Sequence, residues 1–136
     1  MIAFAGGTSF IASVASAATL PTPPRRILYY GDLDDNGLRI PAAAAEAALA
    51  VGLPAPVPAV ALYRLLLMVG RPAPAPVCLP AVAVERADWL PPPLRPVVIE
   101  LLVRGRRLAQ EWTGVEVLTA NPGWRSLEAL ELEGEL

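Results

Sequence analysis

The sequence predicts an α/β fold: a small parallel sheet flanked by helices, followed by a mainly helical C-terminal part. Two short apolar segments, "MIAFA" and "RILYY", each lead through a glycine-containing turn into a helix-forming run, and that alternation is the signature of a parallel α/β sheet. The second run, "GLRIPAAAAEAALAVG", is alanine-rich and closes on a glycine, as helices commonly do. Beyond it the apolar residues recur at helical rather than strand spacing, as Leu94, Val97, Val98, Leu101 and Leu102 illustrate.

Taken in order, residues 1–5 form the first strand, Gly6 and Gly7 the turn, and Thr8 or Ser9 the cap of a helix over 9–19. The first twenty residues are apolar and end in small side chains, as a secretory signal does. They lack its positive start, however, and Gly6-Gly7 interrupts the apolar stretch, so they read as folded sequence. No uninterrupted apolar run is long enough to cross a bilayer. "RILYY" (26–30) is short, β-branched and aromatic, which suits a buried strand. The next helix has Asn36 or Asp35 at its N-cap, Pro41 as a source of a kink in its early part, and Gly52 just past its end. From 53 to 82 the chain is proline-rich, and "VALYRLLLMVG" reads as one helix between proline-stiffened loops, with Tyr63, Leu66, Leu67 and Gly70 on its packing face. "VERADW" gives a turn carrying Trp89, and the helix after it ends at Gly105. "RRLAQEWTGVEVL" resumes as a further helix with Leu108, Trp112 and Val115 on one face. Residues 120–136 form an acidic tail that frays. There is no internal repeat, and residues 1–136 make a single domain.

Composition removes whole classes of chemistry. The 136 residues are 54% hydrophobic with a net charge of −2, and the pI is near 5.1, which describes a soluble globular domain with a modest core. Histidine and lysine are absent, all eleven basic residues are arginine, and Cys78 is the only cysteine. A Ser-His-Asp relay, a histidine zinc site, a cysteine cluster, a lysine Schiff base and a Walker A lysine are therefore excluded. Carboxylate chemistry remains, with or without a hard metal ion. A lone cysteine forms no internal disulfide, in keeping with a reducing cytoplasm.

The segment "GDLDDNG" holds three aspartates within four residues, directly after the second predicted strand. In parallel sheets ligands sit at the carboxyl ends of strands. Asp32 and Asp34 are two apart, so in extended geometry their carboxylates point to one side and can converge on one cation. Oxygen-only, acidic, partly solvated ligation suits Mg²⁺ or Mn²⁺. Gly31 and Gly37 let the backbone turn without a side chain in the way, and Asp35 reads as a turn or cap residue. The string also fits the start of an EF-hand loop, yet its twelfth position is Ala43, where calcium needs a bidentate glutamate, and the preceding segment reads as a strand. A haloacid-dehalogenase-type phosphatase also places D-x-D after a strand, but it needs a lysine that this chain lacks.

"ILYYGDLDDNGLRI" resembles the strand-GD-x-D-x-x-G-x-x-I segment of Toprim-like domains, in particular the C-terminal domain of the JetD family, the nuclease subunit of Wadjet plasmid-defence systems, and more distantly the topoisomerase VI A subunit. "FAGGTS" is similar to the glycine-containing strand end before that motif, and "RGRRLAQEW" to the family's late Arg-Leu-x-Gln-Glu helix. The resemblance implies a divalent-metal site, Mg²⁺ or Mn²⁺, that cuts the DNA backbone. Asp32 and Asp34 would hold the ion, and Glu111 would belong to the site's catalytic surroundings. It further implies DNA and other defence-complex subunits as partners, and a homodimer. Toprim sites also use a glutamate on an earlier strand, whereas no acidic residue precedes Asp32 here. On that resemblance the chain looks like the C-terminal part of a longer protein, or a decayed or mis-started copy, with little or no nuclease activity as it stands.

DNA contact needs positive charge, and the net-acidic chain offers it only locally. Arg39 follows the aspartates, Arg25 and Arg26 precede their strand, and Arg104, Arg106 and Arg107 cluster at a helix junction, where they also suit a solvated face complementing a helix end. Gly6 and Gly7 at a helix start could bind a phosphate or simply form a tight turn. Candidate phosphate contacts are thus Gly6, Gly7, Arg39, Arg106 and Arg107. Two function classes remain: a Toprim-type nuclease domain, and a non-catalytic α/β module kept for assembly or DNA binding.

Overall fold

The computed structural model describes residues 9–126. The predicted first strand, the Gly6-Gly7 turn and the Thr8 cap lie outside the described residues, as do residues 127–136 of the acidic tail. Helix α1 (Ser9–Ala17) follows its prediction and presents Phe10 and Val14 to Ile40, Ala44 and Ala48 of the next helix. Strand β1 (Leu28–Tyr29) is fully buried. Its parallel partner is β2 (Val57–Pro58), in register Leu28 with Val57 and Tyr29 with Pro58. This corrects the reading of 53–59 as mere proline loop. The ladder draws its donors from Val57 N to Ile27 O (2.9 Å) and Ala59 N to Tyr29 O (3.0 Å), so the N–H that Pro58 lacks is never needed.

Helix α2 (Asp35–Ala50) makes the crossover between β1 and β2. Val51 caps its C-terminus, and Gly52 follows at φ 77°, the left-handed conformation that stops helices at little cost in glycine. Its N-cap is Asp34, whose side chain accepts from Gly37 N, rather than the expected Asn36 or Asp35. Pro41 is buried inside the helix and supplies no donor to the carbonyl of Gly37 one turn earlier.

Helix α3 (Val60–Val69) buries Tyr63 and Leu66 completely, so its expected packing face holds. The segment read as a turn before Trp89 is instead α4 (Pro80–Ala87), with Pro80 in the first turn, where a missing N–H costs nothing. A 3-10 turn at Pro92–Leu94 leads into α5 (Arg95–Val103). Leu94, Val98 and Leu102, four residues apart, are its buried stripe, while Val97 stays 47% exposed.

The largest correction lies after α5. Gly105 takes φ 69° and turns the chain out of the helix. The predicted helix over "RRLAQEWTGVEVL" becomes β4 (Arg106–Arg107), a 3-10 turn (Gln110–Thr113) and α6 (Val115–Ala120). Residues β4 would have used for helical bonds pair instead with β3 (Ala73–Pro74), antiparallel, Ala73 with Arg107 and Pro74 with Arg106. One residue on, Leu108 bridges to Leu33 through two backbone bonds of 2.9 and 3.2 Å. Leu108 is accordingly buried, whereas Trp112 and Val115 are 41% and 80% exposed and share no packed face with it.

The main core gathers Leu33, Leu38, Tyr63, Leu66, Leu90, Val98, Leu102 and Leu108, joining the aspartate strand to the helical C-terminal half. Among the described residues no helix is long and apolar enough to cross a membrane.

Candidate carboxylate and arginine site

The backbone runs extended from β1 through Leu33 and then turns into α2, so Asp32 and Asp34 stand on the carboxyl end of the parallel pair. Two features hold the turn. Gly31 N–H donates to the buried hydroxyl of Tyr63 (3.2 Å). Gly37 passes so close to the strand end that a Cβ on it would sit 2.1 Å from the Asp32 carbonyl oxygen, so only glycine fits there.

Each aspartate spends one oxygen on the backbone. Asp32 Oδ1 accepts from Gln110 N–H at 2.8 Å, and Asp34 Oδ1 accepts from Gly37 N–H at 2.6 Å. Their Oδ2 atoms meet at one cation. Arg107 Nη2 donates to Asp32 Oδ2 at 3.0 Å, and Arg107 Nε lies 3.4 Å from Asp34 Oδ2. That second contact is attractive by distance yet misdirected for a hydrogen bond, and the Nε donor is buried without an acceptor. Arg107 thus straddles two carboxylates instead of gripping one with its fork, the tighter geometry that guanidinium–carboxylate pairs favour.

Asp35 is held by Arg39, one turn along α2, and by Arg86 Nε of α4 at 2.7 Å. Its position in the first turn of α2 also suits the helix dipole. A cleft of about 410 Å³ opens beside these residues, with Asp34, Asp35 and Asn36 on one wall, Arg106 and Arg107 on another, and the 74–78 segment completing it. The Cys78 thiol borders this cleft, and burial pushes its pKa up, so it is a packing group and no ready nucleophile.

Behind the strand end lie three aromatics. Tyr63 packs edge-on against Tyr30 and Trp89, with ring centroids 5.0 and 6.1 Å away. Thr113 Oγ1 gives its hydrogen to the Gln110 carbonyl at 2.7 Å, so the Tyr30 hydroxyl, 2.6 Å from Thr113 Oγ1, must be the donor of that contact. Burial first, and then the negative charge of Asp32 and Glu111, raise the Tyr30 phenol from 10.0 to about 12. Burial holds the Tyr63 phenol well above its usual value.

The structure therefore brings Asp32, Asp34 and Arg107 together and keeps Arg106 on the adjoining cleft wall. Arg106 is exposed and has no ion-pair partner among the described residues. Arg39 is committed to Asp35, and Arg104 to Glu100 at 2.8 Å. Glu111 is exposed on the 3-10 turn next to Gln110 and near enough to act on Tyr30, but it does not join the aspartates. Gly6 and Gly7 lie outside the described residues. Among the described residues no cluster of three or more acidic, cysteine or histidine ligands forms. The donor set nevertheless fits a hard divalent ion in part. Mg²⁺ is commonly held by one or two carboxylates with water and substrate phosphate, and two Oδ2 atoms here converge on a single positive charge.

Sequence reasoning named Arg107 only as a phosphate contact and missed it, Gln110 and Arg86 as partners of the aspartates. Arg107 and Gln110 lie 75 and 78 residues from Asp32, and Arg86 lies 51 from Asp35. The signal that pointed nearest was the "RRLAQE" string, which contains both the arginine and the amide that complete the site. Compared with protein-family models, curated proteins and solved structures, the chain matches none.

Proposed function

We propose that this chain is a Toprim-like DNA-backbone module of the Wadjet nuclease type, organised around a two-carboxylate seat for Mg²⁺ or Mn²⁺. The observation that carries the reading is the convergence of Asp32 Oδ2 and Asp34 Oδ2 on one cationic group at the carboxyl end of a parallel strand pair. A bound divalent ion would polarise a scissile phosphate and stabilise charge on the attacking or leaving oxygen. The chain's own residues supply the frame for that chemistry. Asp32 and Asp34 hold their Oδ2 atoms in place because their Oδ1 atoms are anchored to the Gln110 and Gly37 amides. Arg106 and Arg107 line the cleft where a phosphodiester would lie, and Glu111 adds negative charge near the same strand end. The family pattern adds a further acidic group, other defence-complex subunits and a homodimer to this scheme, acting on DNA in the cytoplasm.

A second reading, a non-catalytic α/β module for assembly or DNA binding, is favoured by a different fact: all three aspartates already have arginine partners. Calorimetric titration of Mn²⁺ with Mg²⁺ competition separates the two. Asp34→Asn is the variant of choice, because it keeps the Oδ1 acceptor that caps α2 while removing the charge. Binding that Mg²⁺ displaces and Asp34→Asn weakens about tenfold or more supports the metal reading. No binding either by the folded wild type or by a folded Arg107→Gln, which removes the arginine from both carboxylates, selects the assembly module.

A further inference from the structure

We propose that Arg107 is an exchangeable resident cation: it occupies the Asp32–Asp34 seat until a divalent ion displaces it, and the displaced guanidinium then turns with Arg106 toward a phosphate in the adjoining cleft. This rests on the metal reading above and adds how the site is regulated and how it recognises its substrate.

Four observations carry it. Arg107 divides itself between two carboxylates, with one hydrogen bond and one misdirected contact, and its buried Nε finds no acceptor. A guanidinium held for structure alone gains most from a bidentate grip on one carboxylate, so the straddling geometry is that of a group filling a cation seat. The side chain is 37% exposed and lines the 410 Å³ cleft, so it has room to leave without crossing the core. It rides on β4, a two-residue strand whose partner β3 is exposed at both residues, whereas the two carboxylates are anchored through their other oxygens to backbone amides. Arg106, on the same cleft wall and without an ion-pair partner among the described residues, is already placed to share a phosphate.

The exchange makes metal and phosphate binding mutually reinforcing. The ion frees the guanidinium for the anion, and the anion, by holding the guanidinium away, clears the seat for the ion.

The test titrates Mn²⁺ by calorimetry into wild type, Arg107→Gln and Arg107→Gln with Asp34→Asn, with folding checked by circular dichroism, and titrates inorganic phosphate with and without saturating Mg²⁺. The expected result is Mn²⁺ affinity about tenfold or more higher in Arg107→Gln than in wild type, a gain cancelled by Asp34→Asn. Mg²⁺ is expected to raise phosphate affinity severalfold in wild type and clearly less in Arg107→Gln, where only the ion itself attracts the anion. A folded Arg107→Gln that binds Mn²⁺ no better than wild type overturns the exchange and leaves the metal reading standing. Failure of both chains to bind overturns both. A Mg²⁺ effect on phosphate affinity that is absent, or equal in wild type and Arg107→Gln, overturns the release of the guanidinium. Should Arg107→Gln not fold, Arg107→Met replaces it: its unbranched chain fills similar space without a charge, so the Mn²⁺ affinity of the folded variant should also exceed wild type, and no gain overturns the proposal.

Discussion

The two strand pairs of this molecule are of similar length and opposite character. The parallel pair, β1 with β2, has both β1 residues at 0% exposure and carries the aspartates at its end. The antiparallel pair, β3 with β4, is exposed at both β3 residues and carries Arg106 and Arg107. Both are only two residues per strand, so neither is stable as a sheet by itself, and what surrounds each decides its rigidity. β1 is sandwiched between α1, α2 and α3 through Tyr29, Leu28 and their neighbours. β4 pairs along its length only with the exposed β3, and its far end is tied to the core by the Leu33–Leu108 bridge and by Gln110 N–H on Asp32 Oδ1. The negative half of the site is thus built on core and the positive half hangs on an edge.

The hardest way to break this contrast is at Gly37. A Cβ there meets backbone, the Asp32 carbonyl at 2.1 Å, which cannot swing aside as a side chain would. Gly37→Ala should cost about 3 kcal/mol or more, and it should separate α2 from the strand end. Chemical denaturation gives the number, and a loss below about 1 kcal/mol would show the turn to be slack.

Next in size is the hinge between the two pairs. Leu108 is 3% exposed and sits among Leu33, Leu66 and Leu102. Leu108→Ala should cost about 3 kcal/mol. Since Leu108 ties β4 to the core while β1 is buried among three helices, hydrogen exchange of the Arg107 and Leu108 amides should accelerate more than that of Tyr29. Equal acceleration at both would mean that the two pairs open as one unit.

The same contrast explains what was legible in the sequence. The β1–α2 segment was readable because its signals are local: a short aromatic strand, a D-x-D turn, an alanine helix and Gly52, whereas its partner β2 was hidden in a proline-rich stretch. Even there Asp34 took the cap instead of Asn36 or Asp35, because Gly37 N–H reaches back only that far. The edge half was not readable. "RRLAQEW" has good helix formers and apolar residues at helical spacing, but Gly105 at positive φ turns the chain out, and Leu33 offers Leu108 a strand partner that local periodicity cannot reveal. For the same reason the D-x-D pair could be expected to converge on a cation, while the identity of that cation, an arginine 75 residues away, could not. Helix α4 was hidden by the prolines around it, although Pro80 in its first turn is where proline belongs.

A smaller effect tests the aromatic support of the strand end. Folding favours the protonated Tyr30 phenol, whose pKa rises from 10.0 to about 12. Its contribution is therefore complete below pH 10 and is lost as the pH climbs through about 12. Tyr30→Phe should flatten that alkaline loss, at a cost near neutrality of about 1 kcal/mol for the hydroxyl bond to Thr113. Denaturation midpoints measured from neutral to alkaline pH check it. An alkaline limb identical in wild type and variant would assign the loss to other groups.

The smallest expected effect sharpens the distinction between arginines that complete the site and arginines that decorate it. Arg39 pairs with Asp35 one helical turn away on a side chain 57% exposed, and Asp35 keeps Arg86 as a second, better buried partner. Exposed pairs at this spacing are worth about 0.3–0.5 kcal/mol and are screened by salt. Arg39→Gln should therefore lower stability by no more than about 0.5 kcal/mol, with the difference vanishing at high salt. The Mn²⁺ affinity of the Asp32–Asp34 seat should stay unchanged, because Arg39 pairs with Asp35 and with neither carboxylate of the seat. If Arg39→Gln altered Mn²⁺ binding as strongly as Arg107→Gln, the aspartates would form one shared field. The division between a core-anchored acid pair and one exchangeable edge cation would then have to be given up.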